Sequence, residues 1–194
     1  MCTMKKVIRF LMAFLLLFLT LPLWAINMGN TIPPFEVLSQ DEEPLTEKDL
    51  LGKITVLFYD NRRTAAVNND LKYEISDFRE QNLPLLENLQ VVQVVDASSA
   101  NFLTRTIWKR KLRENARKYG VDLYADWNGA MRQSFGFDTK ESNVLVVDPR
   151  GMVRYALLGK VATSEKEKLL ILLLAIGEES EKQKRAQTKE VTIP

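Results

Sequence analysis

Apolar positions along the chain alternate between two periods, and each switch marks an element. Ile54 to Tyr59 is a compact β-branched and aromatic run suited to a buried strand. From Thr64 to Gln81, Val67, Leu71, Ile75 and Phe78 recur at spacings of four, four and three, which predicts a helix with one apolar stripe. Asn82-Leu83-Pro84 breaks that helix, and Leu89 to Asp96 supplies a second strand. A polar helix over about Thr104 to Tyr119 keeps Trp108, Leu112, Ala116 and Tyr119 on one face, so all four are expected in the core. Val121 to Asp126 reads as a short third strand ending in the turn Trp127-Asn128-Gly129, and Ala130 to Phe135 as one or two helical turns. Asn143 to Val147 and Met152 to Leu158 form a predicted hairpin, because Asp148-Pro149-Arg150-Gly151 sets up a tight turn with Gly at its left-handed position. A last helix over about Ser164 to Gly177 packs Leu169, Leu170, Leu173, Leu174 and Ile176.

This order is β-α-β-α-β-(α)-β-β-α, early parallel crossovers followed by an antiparallel hairpin and a closing helix. It implies an α/β fold, a mixed β-sheet flanked by helices on both faces. Residues 26–51, punctuated by Pro33, Pro34 and Pro44, form a lead-in whose piece Phe35 to Leu38 reads as an edge strand or hairpin arm. Residues 178–194 are charged and polar and are expected to be a frayed helix end and mobile tail.

The N-terminus changes the compartment. Lys5, Lys6 and Arg9 precede an almost unbroken apolar run from Phe10 to Leu21, and Ala25 stands at a plausible cleavage point. Residues 1–25 therefore read as an export signal, with an uncleaved inner-membrane anchor as the alternative, since Leu23 is a poor residue three positions before cleavage. The full chain carries a formal charge of +2, and without the signal 24 Lys+Arg face 25 Asp+Glu. That near-neutrality excludes a general nucleic-acid binder and a disordered protein. The chain has no histidine, so a serine–histidine triad and any histidine zinc site are excluded. No Gly-rich phosphate loop, cofactor motif or metal-ligand pattern is present. The one cysteine, Cys2, lies before the apolar run and is not placed for lipidation.

The phrases VLFYDNRRTAAVNNDL, VDLYADWNGAMRQSFGF and SNVLVVDPRGMVRYALLG, in this order, resemble the thioredoxin-like superfamily in its redoxin and peroxiredoxin branch. Within that branch the likeness is to YtfJ-type periplasmic proteins, carried by Arg63-Thr64-Ala65-Ala66 and Val146-Val147-Asp148-Pro149-Arg150-Gly151. The resemblance implies a thioredoxin-like domain over residues 52–177. Arg63 and Ala66 stand where the Cys-x-x-Cys thiols would be, and the family's cis-proline position falls at about Asn143, after Ser142. Disulfide exchange needs an attacking and a resolving thiol, and residues 26–194 contain neither.

The chemistry left at that turn is ionic. Asp60, Arg62, Arg63 and Thr64 lie where a strand is predicted to meet a helix N-terminus, whose free N–H groups favour an anion. They form a candidate binding site with Ser142 and Asn143, for a small anionic ligand or an envelope protein. In the plainer reading, Thr64 caps the helix and the arginines pair with Asp60 or face solvent. A secondary basic surface on the next helix, Arg105, Lys109, Arg110, Arg113 and Arg117, is either a solvated face or a dock for an acidic partner or phospholipid head groups. Asp126 and Asp148 are explained by their turns, though paired carboxylates also serve acid–base chemistry. The leading expectation is an exported, redox-inactive binding or accessory protein of the bacterial envelope. The rivals are a thiol-independent enzyme using Thr64 and Asp60, and an envelope protein in contact with the membrane through an uncleaved N-terminus.

Overall fold

A computed structural model describes residues 28–191, with side chains to residue 188. The proposed signal, its cleavage point and Cys2 lie outside the described residues. The elements are β1 (Glu36–Ser39), β2 (Pro44–Thr46), β3 (Ile54–Asp60), α1 (Asn69–Gln81), β4 (Leu89–Asp96), α2 (Phe102–Tyr119), β5 (Leu123–Asp126), α3 (Ala130–Phe135), β6 (Asn143–Val147), β7 (Val153–Leu158) and α4 (Thr163–Val191). The seven strands form one mixed sheet in the order β2-β1-β5-β4-β3-β6-β7, as the alternation of periods implies. β3 and β4 run parallel, as do β4 and β5, while the other neighbouring pairs are antiparallel.

β3 is buried at all seven residues, and its alternation divides the core in two. Ile54, Val56 and Phe58 meet Leu71 and Ile75 of α1 and Leu169, Leu173 and Ile176 of α4. Leu57 and Tyr59 face the other way, onto Met131 and Phe135 of α3 with Phe137 beyond it. A third, smaller cluster joins Leu112 and Ala116 of α2 to Leu123 and Ala125 of β5. Helices therefore cover both faces.

Of the two readings of residues 35–38, the hairpin arm is the one that forms: β2 pairs outside β1, Leu38 opposite Pro44, and is itself the edge. A strand that begins with proline suits an edge, where the missing N–H is not needed. Tyr119 is 46% exposed rather than part of the core, since α2 ends there at Gly120 in a left-handed turn. The last helix does not fray at Gly177 but continues to Val191. Its outer turns are rich in Glu, Lys and Gln, good helix formers, and Lys184 pairs with Glu181 at 3.0 Å, one turn away on the helix.

The β6–β7 turn forms as its sequence predicts. Gly151 has φ +79 and its N–H donates to the Asp148 carbonyl at 2.9 Å. A side chain there would also crowd Leu51, 3.2 Å away. Asp148 Oδ1 accepts from the N–H groups of Arg150 and Met152 at 2.9 and 3.0 Å, and Oδ2 from the guanidinium of Arg150 at 3.0 Å. Burial alone would push this carboxyl up, but those N–H groups and the Arg150 charge outweigh it and hold it below its ordinary value. A depressed folded pKa gives stability that is complete above the unfolded value, about 3.9, and lost as pH falls through the folded one. Asp148→Ala should thus cost ~1–3 kcal/mol at neutral pH in urea unfolding, with the gap from wild type closing in acid.

Candidate functional site

The turn after β3 is held by its own side chains. Asn61 Oδ1 accepts from the N–H groups of Arg63 at 2.6 Å and Thr64 at 3.2 Å, and the Thr64 hydroxyl accepts from Asn61 N–H at 3.0 Å. This reciprocal bonding consumes the donors that an anion would need. The helix also starts later than its stripe suggests, at Asn69, so Thr64 does not cap it and Val67 lies in the preceding turns.

The buried side chain of Asn68 explains the delay. Its amide donates to Ser142 Oγ and to the Gly159 carbonyl, each at 3.0 Å, while its oxygen accepts from Val161 N–H at 3.0 Å. The turn is thereby tied to both ends of the β6–β7 hairpin arm. Asn143 is equally occupied: its oxygen accepts from Asp138 N–H at 2.9 Å and its amide donates to the carbonyls of Asp138 and Glu141 at 2.9 and 3.1 Å. Of the six expected binding residues, Asp60, Thr64, Ser142 and Asn143 are buried and only Arg62 and Arg63 are exposed. Short polar side chains next to a strand end were drawn into backbone bonding, which a linear sequence does not display.

Asp60 does not pair with either arginine. Its Oδ2 lies 3.3 Å from Lys72 Nζ, with the two side chains 5% and 10% exposed. Lys72 also donates to the Ala65 carbonyl at 3.1 Å and sits over the Phe58 ring, 4.9 Å from its centre. Lys72 was missed because the stripe of α1 is anchored on Leu71 and Ile75. A carboxylate closing an all-apolar strand was the available signal, since it requires a cation within reach. Asp60 Oδ1 is buried without a protein partner.

Beside this pair opens a cleft of about 560 Å³ between α1 and α2. Its floor is Val91, Gln93 and Val95 of β4, its walls include Tyr73 and Trp108, and Arg62, Lys72 and Lys111 supply cations. The cleft exists because α1 and α2 belong to separate apolar clusters on one face of the sheet. Tyr119, unexpectedly exposed, lines it as well.

The basic surface is partly neutralised by the β1–β2 turn. Lys109 pairs with Glu42 at 2.8 Å, and Arg113 donates to the Gln40 carbonyl at 3.0 Å. The Lys109 hydrogen bond, then its charge, holds the Glu42 carboxyl below its ordinary value. Arg105 stacks over Trp127 at 4.8 Å, and Arg110 reaches Glu114 at 3.7 Å. Arg117 is exposed.

Asp126 and Asp148 are not brought together. Asp126 closes β5, which runs parallel to β3 through β4, whereas Asp148 follows β6, which runs against β3 and ends beside its start. The turn does not explain Asp126 either: its Oδ2 accepts from the Tyr59 hydroxyl at 3.0 Å and from Arg132 N–H at 3.1 Å. Burial, then the Asp126 and Asp96 charges, pushes the Tyr59 phenol far up, so it stays protonated as the donor.

The family model for a bacterial protein of unknown function, YtfJ_HI0045, matches residues 39–175. The chain belongs to that family. No curated protein sequence matches it. Among solved structures, an uncharacterized conserved protein from Geobacillus kaustophilus is similar with TM-score 0.62 and 13% identity over 79% of this chain and 84% of that one. A putative thiol:disulfide interchange protein DsbE from Chlorobium tepidum matches with TM-score 0.58 and 15% identity, covering 79% and 99%. A thiol peroxidase from Chromobacterium violaceum gives 0.57 and 12%, covering 77% and 87%. At these identities the likeness establishes the thioredoxin-like fold. The family match starts at Ser39, the last residue of β1.

Lys72→Met, which strands Asp60 in the interior, should destabilise this family member by ~3–5 kcal/mol in urea unfolding. Adding Asp60→Asn to the same chain should restore most of the loss.

Proposed function

We propose that this protein is an exported binding module without thiol chemistry, and that it receives a small molecule with an apolar body and an acidic head in the cleft between α1 and α2. The observation that carries the reading is the cleft itself. It is mostly apolar, of ligand size, and adjoins the turn where the thiols of a thioredoxin would stand. Two cations border it: Arg62 is exposed beside the turn, and Lys111 of α2 lies 3.5 Å from Glu114.

Thiol exchange has no reagents here, since the chain's single cysteine is Cys2. Thr64 gives an enzyme no support, being 5% exposed with its hydroxyl engaged in the turn. Among the described residues no helix is long and apolar enough to cross a membrane. Export rests on the N-terminal segment, and a mature terminus at Ile26 found by mass spectrometry is the outcome that supports cleavage.

The binding reading is tested with anilinonaphthalene sulfonate, an aromatic anion with one N–H, followed by energy transfer from Trp108 in the cleft wall. Saturable binding is expected, weakened about tenfold or more by Arg62→Glu combined with Lys111→Glu. Ser76→Phe, placed to fill the cleft from α1, should abolish it. Unchanged binding in both variants would remove the cleft from the function.

A further inference from the structure

The first turn of α2 carries an apolar tip that the fold does not use. Phe102 is 92% exposed and Leu103 79%, the two most exposed large apolar side chains among the described residues. The helix start is rigid rather than frayed: Asn101 Oδ1 accepts from Thr104 N–H at 3.0 Å, and the Thr104 hydroxyl accepts in turn from Asn101 N–H at 3.0 Å. A capped helix thus presents these side chains outward.

Helical spacing decides what accompanies them. Arg110, Arg113 and Arg117 lie on the same outward side as Phe102, Leu103 and Thr106, and Glu114 is the single acid of the helix. The inward side holds Leu112 and Ala116 against β5. Thr106, Arg110 and Arg117 are all exposed. An apolar end followed by a cationic band is the pattern of an element that lies at a lipid–water boundary, with apolar groups below the head groups and guanidinium groups among the phosphates.

We infer that the N-terminal turn of α2 docks on an anionic phospholipid surface, with Phe102 and Leu103 inserted and Arg110 and Arg117 on the lipid phosphates, while Arg113 stays engaged by the β1–β2 turn. A lipid surface is favoured over a protein partner by shape and charge together. The apolar groups protrude from a helix end instead of lining a groove, so a fluid phase can accept them without a matching cavity. The cations are complementary to phosphate. The tip is distinct from the proposed cleft site, because none of Phe102, Leu103, Arg110 or Arg117 lines the cleft, whereas Ile107 belongs to the cleft wall.

The test places an environment-sensitive dye at Thr106→Cys in the full chain carrying Cys2→Ser. A second sample carries the dye at Ile171→Cys, 67% exposed on α4. With phosphatidylglycerol vesicles the dye at position 106 should shift to the blue while that at 171 does not, even if the N-terminal segment tethers the chain. Phosphatidylcholine vesicles should give little shift. Arg110→Glu with Arg117→Glu should raise the lipid concentration needed by at least about tenfold. Equal shifts at both positions, or equal shifts with both lipids, would overturn the inference. So would a shift seen only with native envelope vesicles that contain protein, which would assign the tip to a protein partner.

Discussion

The buried Asp60–Lys72 pair is the constraint around which the functional end of this fold is arranged. A strand that is apolar throughout ends in a carboxylate, and only a cation from the following helix makes that ending tolerable. Lys72 must therefore enter α1 on its inner side, next to Leu71, which sets the rotation of the helix on the sheet. With that rotation fixed, the chain between Asp60 and Asn69 has too many residues for a direct strand-to-helix step. It is taken up in turns stapled by Asn61 and Asn68. The same pair forms one end of the cleft. In a thiol enzyme this corner is organised around a sulfur; here it is organised around charge.

Much of the architecture was legible because it rests on periodicity. Strand-like runs, the stripe of Leu71 and Ile75, and the Asp148-Pro149-Arg150-Gly151 turn each follow from local rules, and together they leave one sheet order open to a thioredoxin-like chain. The outer half of α4 was harder to read, since its stability comes from charge pairs and helix propensity rather than an apolar stripe. The site was legible only in part. Arg62 and Arg63 are exposed at the turn, whereas Ser142, Asn143 and Thr64 are engaged in bracing the backbone. Hydroxyl and amide side chains serve either role, and the choice depends on how the backbone turns around them, near in the chain for Thr64 and Asn143 and 74 residues away for Asn68 and Ser142. The cleft was invisible for a related reason: it results from two helices failing to touch.

The similar structures whose descriptions name thiol chemistry share this fold at identities where function does not transfer. What is common is a scaffold that places the end of β3 beside a helix start and opens it to solvent. In this chain a mostly apolar cleft opens on the side of α2, and the polar network of Tyr59, Asp126 and Arg132 lies on the opposite face of the sheet, beside α3.

The continuation of α4 past Gly177 alters how the molecule can be trimmed. Glu179 holds Arg154 through both guanidinium nitrogens, at 2.8 and 3.1 Å, and Arg154 in turn lies 3.5 Å from Asp148. The charged stretch is thus wired, through one guanidinium, to the tight turn of a hairpin that precedes it by some 30 residues. A deletion boundary chosen by composition, where apolar residues give way to charged ones, would cut that wire and loosen the hairpin, although nothing deleted belongs to the core.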